Sequence, residues 1–453
     1  MNYMEMMRQR EPGRLALVED GTEYTYGELV DRAVRLSRDE TVFPKKCQDR
    51  RGRLHVIRRQ KILEQLVEFF ACSECGLVPL LVPMEAENPP QREDVPKNAC
   101  MAVATSGSTG EPKILYRTYE SWADFFPIQN EIFGLGRDSR LFVQGSLAFS
   151  GNLNLYMAQF FAGAAVVAQN GFHPKEWGRV MKQKQIDAIY LIPSKLLCLP
   201  QVLKEENMLV RTILSGSQSL GKEDALRLKE FFPNAEIFLY YGASELSYIT
   251  YVTDKQMDSS KNLIGKPFPG VSVSVCGGEI YVDTPYHAEG VHCPCTLSDR
   301  GYMDQEGNLY FAGRSDDIYQ IHGRKVSACR VENEITRLPM IRETAVLLLE
   351  EKHRLSLTAF VLLGDVLPIL PEQNAGYALF YPYPRQDRFL GELRGKEIFA
   401  ELRKRLKHFE MPCRLVVVRE LPLHESGKIN KIKLKRQWKE YGMEMERERK
   451  SNL

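Results

Sequence analysis

The segment Thr105–Lys113 reads T-S-G-S-T-G-E-P-K and directly follows the apolar run Ala102–Ala104. Most of its residues are Gly, Ser or Thr, so small side chains leave the backbone N–H groups accessible to a ligand. Such N–H groups, several hydroxyls and the ammonium of Lys113 can together bind the spread negative charge of a triphosphate. The spacing differs from that of a Walker loop, which requires G-x-x-x-x-G-K-[ST]. By composition alone the segment is either a phosphate-binding loop or a flexible connector.

Three further segments favour the phosphate-binding interpretation. They are Tyr240–Glu245 (Y-Y-G-A-S-E), Tyr310–Val326 (Y-F-A-G-R-S-D-D-I-Y-Q-I-H-G-R-K-V) and Ser426–Leu434 (S-G-K-I-N-K-I-K-L). With these segments in this order, and with Tyr24–Leu29 (Y-T-Y-G-E-L) near the start, the chain resembles the adenylate-forming superfamily. That superfamily contains acyl- and aryl-CoA synthetases, the adenylation domains of peptide synthetases, and firefly luciferase. The resemblance covers nearly the whole chain.

The pattern of elements predicts how these segments are positioned. Strand-like runs alternate with helical patterns, as in an α/β sheet with helices on its faces. The strand-like runs are 141–144, 164–168, 188–192, 211–214 and 236–240, and the helical patterns are 175–184 and 223–232. Ligands bind beyond the carboxyl ends of such strands, where we expect Thr105–Lys113 and Tyr241–Glu245 to lie.

The rest of the chain predicts two further parts. Short alternating strands over 271–281 indicate a β-rich part, and the composition after residue 316 indicates a compact α+β unit. We therefore predict an α/β protein in two domains. A large N-terminal domain of layered α/β sheets plus the β-rich part would span residues 1–315. A small α+β domain, which the resemblance implies is mobile, would span residues 316–453.

Composition excludes several classes of protein. A chain of 453 residues is too long to fold around one compact core, so more than one domain is expected. The net charge of +2 gives no reason to expect a nucleic-acid partner. No stretch approaches the roughly 20 apolar residues of a membrane span. The start M-N-Y-M-E-M-M-R-Q-R lacks the apolar core of a secretory signal, so we expect a cytoplasmic location.

The chain has ten cysteines, and two close pairs could in principle form a zinc site. These pairs are Cys72/Cys75 and Cys293/Cys295, the second near His287 and His292. Neither spacing matches the usual paired zinc knuckles, so reduced thiols are the better interpretation.

The resemblance implies an activity. ATP and a carboxylic acid, acyl or aryl, would give an acyl-adenylate and pyrophosphate, with Mg²⁺ as cofactor. The pantetheine thiol of CoA or of a carrier protein would then take the acyl group. One alternative is a stand-alone adenylating enzyme that loads a carrier protein in a biosynthetic cluster. Another is a non-catalytic nucleotide-binding protein on the same fold.

The resemblance also assigns nucleotide-binding residues. Glu245 would ligate Mg²⁺, and Ser244, where the family usually has Thr, would bond the α-phosphate. The residues that would hold the β- and γ-phosphates are Thr105, Ser106, Gly107, Ser108, Thr109, Gly110 and Lys113. The residues that would bind adenosine are Ser215, Gly216, Ser217, Tyr241, Gly242, Asp299 and Arg314. Among them, the strip Ser215–Gln218 (S-G-S-Q) would frame adenine, with Tyr241 offering a face for the ring. Asp299 would accept the ribose hydroxyls, with Arg314 beside it.

Three residues near or within the predicted C-terminal domain would serve catalysis and domain rotation. Lys428 would bridge the carboxylate of the acid and the α-phosphate, whereas Lys431 and Lys433 are interpreted as solvated. Asp316 would be the hinge, and Gly323 would let the pantetheine arm pass beside the backbone.

The predicted acid pocket is less well defined. Its lining would be Phe149, Ser150, Gly151, Asn152 and Ala243, with Gly242 beside them. Phe149 is either a pocket wall or a core aromatic residue. No Asp is placed to bind an α-amino group, which favours an acyl or aryl acid over an amino acid.

Overall fold

The computed structural model describes residues 1–43, 52–84, 94–106, 112–258, 262–321, 324–338, 341–351, 354–363, 377–380, 391–418, 420–423 and 429–440. The chain divides into two compact units. The first unit is Met1–Ser274, Tyr281–Thr296 and Met303–Leu309, and the second is Val275–Ile280, Leu297–Tyr302 and Tyr310–Leu453. The predicted domain boundary between residues 315 and 316 stays a prediction. Within the described residues, no helix combines the length and the apolarity that a membrane crossing needs.

The first unit contains most of the helices. They are α1 (Tyr3–Arg8), α2 (Tyr26–Ser37), α3 (Ile62–Glu74), α4 (Glu120–Ala123), α5 (Phe126–Ile132), α6 (Ser150–Ala162), α7 (Pro174–Gln183), α8 (Pro193–Leu196), α9 (Leu199–Val202) and α10 (Lys222–Lys229). The start of α2 shows how sequence sets a boundary. Thr25 and Glu28 form a capping box, in which each side chain binds the backbone N–H of the other.

The strands of the first unit form two sheets. They are β1 (Leu15–Glu19), β2 (Thr22–Thr25), β3 (Leu54–Ile57), β4 (Val78–Leu81), β5 (Met101–Ser106), β6 (Pro112–Arg117), β7 (Arg140–Gln144), β8 (Ala165–Gln169), β9 (Ala188–Tyr190), β10 (Thr212–Gly216), β11 (Glu236–Ala243), β12 (Ser247–Thr253) and β13 (Leu263–Pro267). Four more strands are divided between the two units: β14 (Ser272–Cys276), β15 (Glu279–Asp283), β16 (Cys295–Met303) and β17 (Leu309–Arg314).

The larger sheet is parallel at its centre. In the first unit its strands run in the order β2-β1-β8-β7-β9-β10-β11-β12-β13. Neighbours from β1 to β11 pair in parallel, and β2, β12 and β13 pair antiparallel. The centre of β7, Leu141–Val143, is fully buried, as expected for a strand covered on both faces. The predicted α/β fold is therefore confirmed, and the carboxyl ends of β7, β9, β10 and β11 lie at one edge.

The smaller sheet carries the phosphate-loop segment. Its order is β3-β4-β5-β6, with β5 and β6 antiparallel. Thr105 lies in β5 opposite Lys113 in β6, and Ser106 lies opposite Pro112. The segment is therefore partly strand, because the ladder continues past the apolar run Ala102–Ala104 that the sequence shows. It joins the two strands of a hairpin, and its residues 107–111 lie outside the described part of the chain.

The second unit has its own sheet and core. Its strands are β18 (Ile318–Ile321), β19 (Arg324–Ser327), β20 (Ile341–Glu351), β21 (Arg354–Leu363), β22 (Tyr377–Phe380) and β23 (Arg414–Val418), and its helices are α11 (Ala328–Thr336) and α12 (Gly391–Arg405). β18 and β19 form a hairpin, and the others form a sheet in the order β20-β21-β23-β22. Apolar clusters lie on both faces of this sheet, one around Val361 and Leu402 and the other around Phe360 and Trp438.

The interpretation of Lys431 as a solvated residue is wrong, because its side chain is half-buried and forms two ion pairs. Its ammonium lies 2.9 Å from an Asp317 carboxylate oxygen and 3.0 Å from one of Glu332. The attraction of these two carboxylates outweighs burial and raises the pKa of Lys431. The sequence did not reveal this because Asp317 is 114 residues away along the chain.

Helix α10 provides a test of how the first unit packs. Leu228 is fully buried, whereas Leu226 on the same helix is 57% exposed. We expect Leu228→Ala to lower the free energy of unfolding by about 3 kcal/mol, because it leaves a cavity at a fully buried position. Leu226→Ala, the matched control, should change it by less than about 0.5 kcal/mol. Urea unfolding followed by circular dichroism measures both. Equal losses in the two variants would contradict the orientation of α10.

Candidate active site

The Y-G-A-S-E motif forms the tip of the β11–β12 hairpin. Tyr241, Gly242 and Ala243 end β11, and the Leu246 N–H donates to the Ala243 carbonyl at 3.1 Å to close the turn. A Cβ on Gly242 would lie only 2.5 Å from the carbonyl oxygen of Ser247, so the close approach of the two strands requires glycine here. The turn therefore places Ser244 and Glu245 at the tip of the hairpin.

A buried arginine, which the sequence analysis did not identify, holds this turn. Arg117, at the end of β6, is fully buried. Its guanidinium donates to the carbonyl of Ser244 at 2.7 Å, to that of Tyr286 at 3.0 Å and to the Ser121 hydroxyl at 3.3 Å. It also lies over the Trp122 ring, 5.4 Å from the centroid. The available signal was a charged residue at the end of an apolar strand.

The surroundings of Arg117 shift its pKa in opposite directions. Burial lowers the pKa of Arg117 to about 10, while Tyr3 and then Glu245 act in the opposite direction. The group therefore stays protonated at neutral pH. A buried guanidinium costs free energy unless its donors are satisfied, and three of them have partners here.

The segment around Tyr286 supports the turn from the other side. The Ala288 N–H donates to the Glu245 carbonyl at 2.8 Å, and the Ser247 hydroxyl donates to the Tyr286 carbonyl at 2.9 Å. The Glu289 N–H donates to the Tyr116 carbonyl in β6, also at 2.8 Å. The backbone of the turn is thus fixed by two elements that are distant in sequence.

The Glu245 carboxylate suits a magnesium ion. Its oxygens form no hydrogen bond or ion pair with any described residue, and the side chain is half-buried. Mg²⁺ prefers one or two carboxylates together with phosphate oxygens and water. The described residues contain no group of three or more His, Cys, Asp or Glu that could hold a metal ion. A metal at Glu245 would therefore need most of its ligands from a bound phosphate chain and water.

Ser244 connects the turn to the predicted acid pocket. Its hydroxyl lies 2.7 Å from that of Ser150, the first residue of α6. The predicted phosphate-binding and acid-binding residues therefore meet at one contact. This contact joins the loop after β7 to the loop after β11.

The first turn of α6 is closely packed. Asn152 is buried and donates to the Ser146 carbonyl at 2.9 Å. A Cβ on Gly151 would lie 2.7 Å from the Tyr190 hydroxyl and 2.9 Å from the Phe149 ring. Phe149 is half-buried and covers Gly151, so the glycine allows the aromatic side chains to approach the helix.

The predicted adenine strip is tied to the loop after β9. The Ser215 hydroxyl donates to the Leu191 carbonyl at 2.8 Å, and the Ser194 N–H donates to Gln218 Oε1 at 2.9 Å. The Tyr240 ring presses against Gly216, where a Cβ would lie 2.6 Å from the ring. Ser217 has a φ of 70°, and Tyr241 is half-buried.

The predicted ribose-binding pair belongs to the second unit. Asp299 is buried in β16, and its carboxylate lies 3.2 Å from Nε of Arg314 at the end of β17. Arg314 is exposed, so its remaining donors are accessible. The hinge candidate Asp316 lies in a short 3₁₀ turn, Ser315–Asp317.

Several predicted site residues lie outside the described part of the chain. They are Gly107, Ser108, Thr109, Gly110, Gly323 and Lys428. Of the phosphate-loop candidates within the described part, Thr105 is half-buried and Lys113 is exposed. The assigned roles of all these residues stay predictions.

Comparison with known proteins agrees with the fold. The sequence model described as AMP-binding enzyme matches residues 80–292. The chain is similar to the uncharacterized acyl-CoA ligase YhfT of Bacillus subtilis (strain 168), with 25% identity over 352 residues covering 73% of this chain and 67% of the relative.

Two solved structures have a similar fold. ATP-bound MatB from Rhodopseudomonas palustris aligns with a TM-score of 0.77 at 18% identity, covering 97% of this chain and 99% of that one. O-succinylbenzoate coenzyme A synthetase (MenE) from Bacillus subtilis, in complex with ATP and a magnesium ion, aligns with a TM-score of 0.75 at 19% identity, covering 94% and 98%. The family match, the ligase relative and the shared fold therefore agree with the resemblance of the chain to the adenylate-forming superfamily.

Proposed function

We propose that this protein is an acid–thiol ligase that uses ATP and Mg²⁺ to convert a carboxylic acid to its acyl-adenylate and then to a CoA thioester. The observation that supports this most directly is the 2.7 Å contact between the hydroxyls of Ser244 and Ser150. It places a phosphate-binding candidate against the helix assigned to the acid. The two reactants would therefore be held next to each other, as bond formation between them requires.

In the first step, a carboxylate oxygen of the acid attacks the α-phosphorus of ATP, and the bond from that phosphorus to pyrophosphate breaks. Two anions approach each other, so positive groups and hydrogen-bond donors accelerate the step. The Ser244 hydroxyl would donate to an α-phosphate oxygen, and Thr105 and Lys113 would bind the β- and γ-phosphates. A magnesium ion held by Glu245 would neutralise part of the phosphate charge.

Lys428 would contact both the acid and the α-phosphate, and the contact would strengthen as charge develops in the transition state. In the second step, the sulfur of the thiol attacks the acyl carbon, and AMP leaves. Gly323 would lie beside the pantetheine arm, and Asp316 would act as the hinge between the two steps. Asp299 and Arg314 would bind the ribose, and the strip Ser215–Gln218 with Tyr241 would bind adenine.

CoA is the favoured acceptor, because the relative YhfT is named an acyl-CoA ligase. A carrier protein carries the same pantetheine thiol and is the alternative acceptor. A non-catalytic nucleotide-binding protein is disfavoured, since Glu245 and Lys428 are both present. Pyrophosphate release over a panel of carboxylic acids, with CoA and a carrier protein as acceptors, tests the function. If no acid of the panel supported pyrophosphate release, the proposed function would be wrong.

We expect Glu245→Ala to lower the rate of pyrophosphate release by about 100-fold or more at millimolar Mg²⁺. The variant would hold Mg²⁺ more weakly, so the negative charge on the phosphates would be neutralised less in the transition state. Raising the Mg²⁺ concentration should recover part of the rate. Glu289→Ala, which removes an exposed carboxylate from the neighbouring segment, is the matched control and should be silent. A wild-type rate in Glu245→Ala would show that the metal is held elsewhere.

Arg117→Met should weaken catalysis through the turn that Arg117 supports. The variant leaves the Ser244 carbonyl without the guanidinium donor and the Tyr286 carbonyl with only the Ser247 hydroxyl, at a cost of about 3 kcal/mol in the free energy of unfolding. We expect a lower kcat for pyrophosphate release and a higher requirement for Mg²⁺ in the protein that remains folded. Arg137→Met, at an exposed arginine, is the control. An unchanged Mg²⁺ dependence in folded Arg117→Met would restrict Arg117 to a role in stability.

Lys428 and Gly323 should affect opposite half-reactions. Lys428→Ala should cost adenylation about 3 kcal/mol or more, as loss of a transition-state contact does, while preformed acyl-AMP still gives thioester. Gly323→Leu should form acyl-AMP normally and fail at thioester formation. Single-turnover assays of each half-reaction measure both effects. If both variants slowed both half-reactions equally, one static site would explain the two steps better than a rotation of the C-terminal domain between them.

A further inference from the structure

Lys195 occupies a central position at the edge of the sheet where the proposed site lies. It belongs to α8, which follows β9 directly, and β9 lies between β7 and β10 in the sheet. The three strands are parallel, so the segments after them leave the sheet at the same edge. Lys195 therefore stands between the start of α6, which follows β7, and the strip Ser215–Gln218 at the end of β10.

The ammonium of Lys195 lies near Asn152, one of the residues predicted to line the acid pocket. A Cβ placed on Gly145 would lie 3.8 Å from Lys195 Nζ and 3.3 Å from Asn152 Nδ2, so both groups border one small region. Asn152 lies in the first turn of α6, two residues after Ser150, whose hydroxyl contacts Ser244. The ammonium is thus beside the helix turn assigned to the acid.

This ammonium has no counter-ion among the described residues. No described residue forms a hydrogen bond or an ion pair with Lys195 Nζ, although the side chain is half-buried. Burial alone lowers the pKa of Lys195 to about 8, so the group is still a cation at neutral pH. Removing a cation from water without a partner costs free energy, and an anion that entered this region would offset that cost.

A second donor borders the same region. The amide nitrogen of Asn152 has two hydrogens, and its bond to the Ser146 carbonyl uses one of them. The other can serve a ligand. An ammonium and an amide N–H at one place form a suitable pair of donors for the two oxygens of a carboxylate.

We propose that Lys195 binds a second carboxylate of the acid substrate, so that the protein activates one end of a dicarboxylic acid while Lys195 and Asn152 hold the other. This inference rests on the proposed function and specifies its substrate class. An unbranched monocarboxylic acid would place an apolar tail against the ammonium and leave it without a counter-ion. Such acids should therefore be poor substrates, even when their length fits.

The experiment compares acids that differ only in the distal charge. Pyrophosphate release by the full chain with ATP and Mg²⁺ is measured for butanedioic to decanedioic acids and for the monomethyl ester of each. For the best chain length, we expect kcat/KM to be about tenfold or more higher for the diacid than for its ester, as for a hydrogen bond to a charged group. This comparison needs no variant.

Variants then assign the preference to Lys195. Lys195→Met should raise KM for the diacid by about tenfold or more and leave the ester unaffected or improved. Lys195→Arg should retain part of the preference, because it keeps the charge. Lys175→Met, at an exposed lysine of α7, is the matched control and should behave as wild type. Thermal unfolding with and without ATP verifies that each variant is folded.

The outcomes separate the two proposals. Pyrophosphate release with monocarboxylic acids or esters as efficient as with diacids, or an unchanged diacid preference in folded Lys195→Met, overturns the role of Lys195 and leaves the proposed function standing. If neither diacids nor monocarboxylic acids support pyrophosphate release, the proposed function is overturned. A diacid preference that Lys195→Met abolishes supports both.

Discussion

The guanidinium of Arg117 is the interaction on which the site of the first unit depends. It is fully buried and binds the carbonyls of Ser244 and Tyr286. A cation inside a protein needs fixed acceptors, and those acceptors belong to two loops that are distant from Arg117 in sequence. Through this group, the end of β6 is joined directly to the tip of the β11–β12 hairpin. The same β5–β6 hairpin carries the phosphate-loop segment, so Arg117 links the hairpin of one motif to the turn of the other.

The parallel part of the large sheet explains why the remaining residues converge. Parallel strands joined by helices send every connecting loop of one kind to the same edge. The loop after β7 brings Ser150 and Asn152, that after β9 brings Lys195, the end of β10 brings Ser215, and that after β11 brings Ser244. Hydrogen bonds between these loops, such as those from Ser194 to Gln218 and between Ser150 and Ser244, keep their spacing. A short contact network thus connects nucleotide-binding candidates to acid-binding candidates.

Two lysines illustrate how differently the fold treats the same side chain. Lys431 lies between Asp317 and Glu332, and these carboxylates raise its pKa despite burial. This arrangement ties the helical residues 431–440 to the segment beside the hinge candidate Asp316. Lys195 is buried without a counter-ion among the described residues, and burial lowers its pKa. The first lysine is satisfied within the protein, and the second is arranged for an external partner.

The sequence by itself determined the family resemblance, the alternation of strands and helices, and the positions of the local motifs. These depend on residues close together in the chain: the Thr25–Glu28 capping box that begins α2, or the turn of Y-G-A-S-E behind a strand. Only the tertiary structure decided the surroundings of Arg117, Lys195 and Lys431. Arg117 finds its acceptors 127 and 169 residues away. Whether a charge is buried, and what faces it there, depends on which distant segments pack around it, and no local pattern carries that information.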